Sequence, residues 1–98
     1  MLKVRLHAAT QKSFEQFHAD LNRAIEGSLA SGFMTLNWID RTLHTVAPAT
    51  LGLIRFEASG VYAEFQISWA GILMKDVIIE ESHRILAKAT GGLVSRLE

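Results

Sequence analysis

Two Glu-x-x-His pairs, Glu15 with His18 and Glu80 with His83, are the residues whose types and spacing come nearest to catalytic chemistry. Set at i and i+3 on a helix, a carboxylate and an imidazole project toward one metal ion, as in di-iron bundles. Helical geometry argues against that use here. At about 100° per residue, His18 falls about 40° from Phe14, inside an apolar stripe, and Glu15 about 100° away at its border. Measured from Ile78, His83 lies at about 140° and Glu80 at about 200°, facing away from the core. The two motifs do not converge, and the further bridging carboxylates of such a site are missing. A boundary histidine and a surface histidine are the simpler reading, with no metal and no cofactor expected.

Other catalytic arrangements are equally hard to find. No serine stands in a Gly-x-Ser-x-Gly elbow, the strained turn that exposes a nucleophile. Glu80 and Glu81 are adjacent, so on a helix they point about 100° apart and cannot share a proton or a substrate. Gly91-Gly92 ends a helix instead of opening one, and no phosphate-binding glycine fingerprint occurs. No enzymatic activity and no catalytic residue are expected.

The chain's 98 residues carry ten Lys plus Arg against ten Asp plus Glu, with no cysteine. A net charge of zero leaves no bulk field to attract nucleic acid or anionic membranes. The basic residues are scattered among acids, and Tyr62 is the one aromatic clearly on a wet face, so no nucleic-acid partner is expected. Without cysteine there is no disulfide framework and no thiolate chemistry. No stretch reaches the roughly 18 apolar residues of a membrane span. The start, Met1 to Leu6, is too short and too alternating for a signal peptide, and the expected location is cytoplasmic. Leu97-Glu98 resembles the junction left by an expression tag and is given no role.

The elements that would position any site follow from hydrophobic period. Leu2, Val4 and Leu6 alternate with Lys3, Arg5 and His7, the pattern of a half-buried strand. Phe14, Phe17, Leu21, Ala24, Ile25 and Leu29 recur at helical spacing. Thr10 or Ser13 is placed to cap that helix, and Gly32 to end it. Four short strands follow between 33 and 69, with turns at Asp40-Arg41, near Pro48 and at Ala58-Ser59-Gly60. In the last of them Val61, Ala63, Phe65, Ile67 and Trp69 face one way, and Tyr62, Glu64, Gln66 and Ser68 the other. A second helix carries Met74, Ile78, Ile85 and Ala89, with Val77 and Leu86 beside the stripe and Glu80 paired with Arg84 at i,i+4.

The order β-α-β-β-β-β-α predicts an α+β fold, an antiparallel meander sheet with two helices packed on one face. Residues 1–92 form the single domain and 93–98 a tail. Lys3, Arg5, Tyr62, Glu64 and Gln66 mark the opposite, open face. A homodimer is one way to cover that face and the sheet edges. Trp38 and Trp69 lie in phase with their strands' apolar faces and read first as core residues. The alternative is that one of them lines an apolar cleft between helix and sheet. Ala70-Gly71-Ile72-Leu73-Met74 is an apolar run that does not fit one helix face, which suits a hinge or an exposed contact patch.

Several of these segments together resemble a known family. They are Trp38-Ile39-Asp40-Arg41-Thr42-Leu43, Leu51-Gly52-Leu53-Ile54, the alternating strand 61–69, Ala70-Gly71-Ile72-Leu73 and the helix 75–89. With the strand ending in His7, they resemble the polyhydroxyalkanoic acid system proteins over most of residues 2–90. The resemblance implies a bacterial cytoplasmic protein, encoded with genes for polyester storage granules. It implies a non-catalytic accessory role through contact with a polyhydroxyalkanoate granule or granule proteins, and it brings no catalytic residues. Trp38, Trp69, Ile72, Leu73 and Met74 are the candidate contact residues. The alternative function is a small carrier of a hydrophobic, lipid-like ligand, held in a cleft between helices and sheet.

Overall fold

The computed structural model describes residues 1–28 and 32–97. The alternation at the start becomes strand β1 (Leu2–Ala8), followed by helix α1 (Phe14–Glu26). A meander of β2 (Thr35–Ile39), β3 (Thr42–Ala47), β4 (Thr50–Glu57) and β5 (Gly60–Ile67) comes next. A 3₁₀ helix (Trp69–Met74), helix α2 (Lys75–Thr90) and strand β6 (Val94–Leu97) complete the chain. The six strands form one sheet in the order β2-β3-β4-β5-β1-β6, and every pairing is antiparallel. β1 returns beside β5, with Val4 opposite Phe65 and Leu6 opposite Ala63.

Side-chain alternation assigns the two faces. Val4, Leu6, Leu43, Ile54, Val61, Ala63, Phe65 and Ile67 point toward the helices. Phe17, Leu21 and Ile25 of α1 and Ile85, Leu86 and Ala89 of α2 close on them, making one core. The other face stays uncovered, as expected for an antiparallel sheet with polar residues at alternate positions. On it the Tyr62 hydroxyl donates to Glu64 Oε1 over 2.9 Å. That bond holds the Glu64 carboxyl below its ordinary range, while burial and the same carboxylate raise the phenol of Tyr62.

Two boundaries and one ion pair differ from the sequence reading. Helix α1 ends at Gly27, not Gly32: the Gly27 N–H closes onto Arg23 O, and the Ser28 N–H and hydroxyl both reach Ile25 O. Leu29, placed in the apolar stripe of this helix, lies outside the described residues. The tail is a strand. Gly91 takes a left-handed conformation (φ 70°) that ends α2, and Gly92 passes so close to Ala9 that a Cβ would collide with its carbonyl oxygen. The chain is thereby turned onto the free edge of β1, where Val94 pairs with Ala8 and Leu97 with Arg5. On α2, Arg84 pairs with Glu81 and not with Glu80.

A polar clamp ties the β1–α1 connection to the end of α2. Lys12 Nζ donates to Asp20 Oδ2 at 2.6 Å and to Ala89 O at 2.9 Å, while the Thr10 hydroxyl donates to Thr90 O. A cation at the last carbonyls of α2 suits the negative end of its dipole. Hydrogen bonds from Lys12 and then Gln16 lower the Asp20 pKa from its ordinary value. A carboxylate held lower in the folded state stabilises it above the ordinary value, and that contribution disappears as pH falls through the folded pKa. Melting temperature should therefore fall as pH is lowered from about 5 toward 2, and less steeply in Asp20→Asn. Equal slopes in the two proteins would show that the clamp has no linkage to folding.

Candidate functional site

The two tryptophans occupy different environments. Trp38 sits half-buried on β2, its ring 4.4 Å from that of His18 and edge-on to Phe14 at 5.7 Å. Its indole N–H donates to Asn22 Oδ1 at 3.2 Å, and the amide of Asn22 faces His18 Nδ1. The Arg41 guanidinium lies over Phe14 and Phe56, 5.3 Å and 5.8 Å from the ring centres. This cluster packs α1 against the edge of the sheet. Trp38 is thus a packing residue, and His18, one half of a Glu-x-x-His pair, belongs to the same stack. Among the described residues no group of three or more His, Cys, Asp or Glu is placed to hold a metal ion.

Trp69 leaves the core altogether. The alternation of 61–67 predicts it pointing inward, yet β5 stops at Ile67 and Trp69 opens the 3₁₀ helix with 76% of its surface exposed. Backbone hydrogen bonds explain the break. Ser68 N–H donates to Ala49 O, and Gly71 N–H to Ser68 O, so the chain turns out of the sheet. Gly71 then presses on Ala49 and Ile67, where a Cβ would come within 3.0 Å of each. Ile72 is half-buried, Met74 is exposed, and Leu73 is 94% exposed. Tyr62, expected as the one aromatic on a wet face, is half-buried, and among the described residues the exposed aromatics are Trp69 and Phe33.

Among the described residues, no cavity has both tryptophans in its lining. Instead an apolar cleft of about 330 Å³ lies between α2 and the β3–β5 part of the sheet. Thr45, Ala47, Thr50 and Phe65 form its floor, Met74, Ile78, Ser82 and Ile85 one wall, and Phe33 and Met34 the other. A smaller space of about 30 Å³ continues inward among Ile25, Thr45, Ile54 and Ile85. Of the predicted contact residues, only Met74 lines the cleft. Glu81 is the one charged residue at its lip, and its carboxylate is engaged by Arg84. A second hollow runs along α2 from Val77 to Arg84, and its described lining residues all belong to that helix.

The cleft has a cause in side-chain size. The helix-facing residues of the β3–β4 hairpin are large at one end, where Leu43 pairs with Ile54. They shrink toward the turn, where Thr45 pairs with Gly52 and Ala47 with Thr50. Gly52 leaves room for the Thr45 hydroxyl and the Phe65 ring to lean across it, since a Cβ there would meet them at 2.5 Å and 2.7 Å. Interiors are packed to near-crystalline density, so a run of small inward residues not matched by larger ones on the helices leaves space. That run was visible in the sequence and is the signal that alternation by itself does not use. Phe33 and Met34 had no such signal, because their place depends on the path of the connection between α1 and β2.

No helix among the described residues is long and apolar enough to cross a membrane. The chain matches no family model. No curated protein matches it either.

Proposed function

We propose that this protein is a non-catalytic carrier that holds a small hydrophobic molecule in the cleft between α2 and the sheet. The observation that carries this reading is the cleft, mostly apolar with a few hydroxyls on its floor and wall, at a volume within the range of ligand sites. Its position matches the small inward residues of the β3–β4 hairpin. Titration of 1-octanol into the isotope-labelled protein tests it: amide shifts should concentrate at Thr45, Phe65, Ile78 and Ile85. Shifts scattered over the surface, or none, would remove the carrier reading.

A second reading rests on the 3₁₀ helix. Trp69, Leu73, Met74 and Val77 form an exposed apolar strip beside the cleft mouth, and such strips mark contact surfaces. Together with the resemblance to polyhydroxyalkanoic acid system proteins, this supports a bacterial cytoplasmic role at the surface of a granule or on its proteins. Fractionation of granule-forming cells is the test, and a Trp69→Ser, Leu73→Ser variant should leave the granule fraction. Recovery of the unaltered protein only from the soluble pool would count against it. The open sheet face also exposes Ile39, Val46 and Leu51, which favours a second copy as its cover. Sedimentation equilibrium at rising concentration tests that dimer, and a constant monomer mass would exclude it.

A further inference from the structure

We infer that the cleft selects a neutral apolar molecule bearing one hydroxyl or carbonyl oxygen, with that oxygen bound by Thr45 at the floor. This rests on the carrier reading and specifies its ligand. Thr45 is only 5% exposed and borders both the cleft and its inward continuation. Its hydroxyl leans over Gly52, and among the described residues no protein group is hydrogen-bonded to it. That hydroxyl is not sealed in the core but opens on the cleft, where a ligand oxygen can pair with it. Ser82 borders the same deep end, and its proton is already given to Ile78 O at 2.7 Å. Its oxygen therefore remains an acceptor, so a ligand hydroxyl has a donor in Thr45 and an acceptor in Ser82.

Charge decides against an acid. Among the described residues no cation lines the cleft, and the single charged one that does, Glu81, is an anion already paired with Arg84. A carboxylate carried inward would lose its hydration with nothing to replace it. Volume sets the size: at the ~30 Å³ that one water occupies in the liquid, the cleft holds roughly ten non-hydrogen atoms. A medium-length alcohol or ketone fits.

The test compares 1-octanol, octanoate and 1-chlorooctane on the full chain, with dissociation constants taken from amide shifts. Octanol should bind about tenfold more tightly than either of the others, the worth of one well-placed hydrogen bond. Thr45→Val keeps the branched shape and should abolish that advantage while leaving chlorooctane binding intact, and Thr45→Ser should retain it. Octanoate binding as tightly as octanol would overturn the inference, as would an undiminished octanol preference in Thr45→Val. In either case the carrier reading would stand. If none of the three probes shifts the cleft amides, both fail together.

Discussion

Gly60→Ala should unfold most of the population at temperatures the unaltered protein tolerates. Gly60 opens β5 with φ at 131°, a region that side chains with a Cβ rarely enter. The added methyl would stand 2.7 Å from Ala8 O and 3.0 Å from His7 Nε2, at the junction of β4, β5 and β1 in the middle of the sheet. Backbone strain and overpacking each cost about 1–3 kcal/mol. The combined loss of about 2–6 kcal/mol is a large part of the roughly 5–15 kcal/mol that holds a domain together. Melting temperature should drop by more than about 10 °C. Gly32→Ala serves as the control, because nothing lies within 4 Å of a Cβ at that position. Equal melting temperatures for the two variants would show that the Ala8 carbonyl does not approach Gly60 as described.

Ser82→Leu should eliminate ligand binding without loss of fold. Ser82 projects from α2 into the deep end of the cleft, where Thr45, Phe65 and Ile85 surround it. A leucine there fills space that the small β3–β4 residues leave empty, and it is a better helix former than serine. The hydroxyl bond to Ile78 O that is lost lies within the helix, so no distant polar group loses its partner. Octanol affinity should fall at least tenfold while the melting temperature holds or rises. Ala47→Phe, entering from the sheet side of the same cleft, is the companion variant should leucine overpack the helix side. Either variant folding normally and binding octanol like the unaltered chain would place the ligand elsewhere.

Sequence reading succeeded where one period governs one element. Leu2, Val4 and Leu6 against Lys3, Arg5 and His7 place β1, and Phe17, Leu21 and Ile25 place the buried side of α1. It failed where a backbone hydrogen bond overrides the period. Trp69 continues the alternation of 61–67, but the bond from Ser68 to Ala49 diverts the chain before it. The tail was unreadable for a related reason. Val94 to Leu97 are too few to show a pattern, and what makes them a strand is the vacant edge of β1. Trp38 kept its expected inward direction and joined a packing cluster, because α1 brings Phe14, His18 and Asn22 against it.

The alternation within the strands and the apolar stripes of two amphipathic helices determined the class of fold and its open face from sequence alone. These depend on composition and on neighbours a few residues apart. The cleft was decided only by tertiary structure. Its floor comes from β3, β4 and β5, its walls from α2 and from Phe33 and Met34, and a volume left between layers is a sum over residues distant in sequence. Alternation says that Thr45, Ala47 and Thr50 face inward. Whether the opposite layer fills the room they leave depends on how α2 sits above them, and that is set by Gly71, Gly91 and the Lys12 clamp.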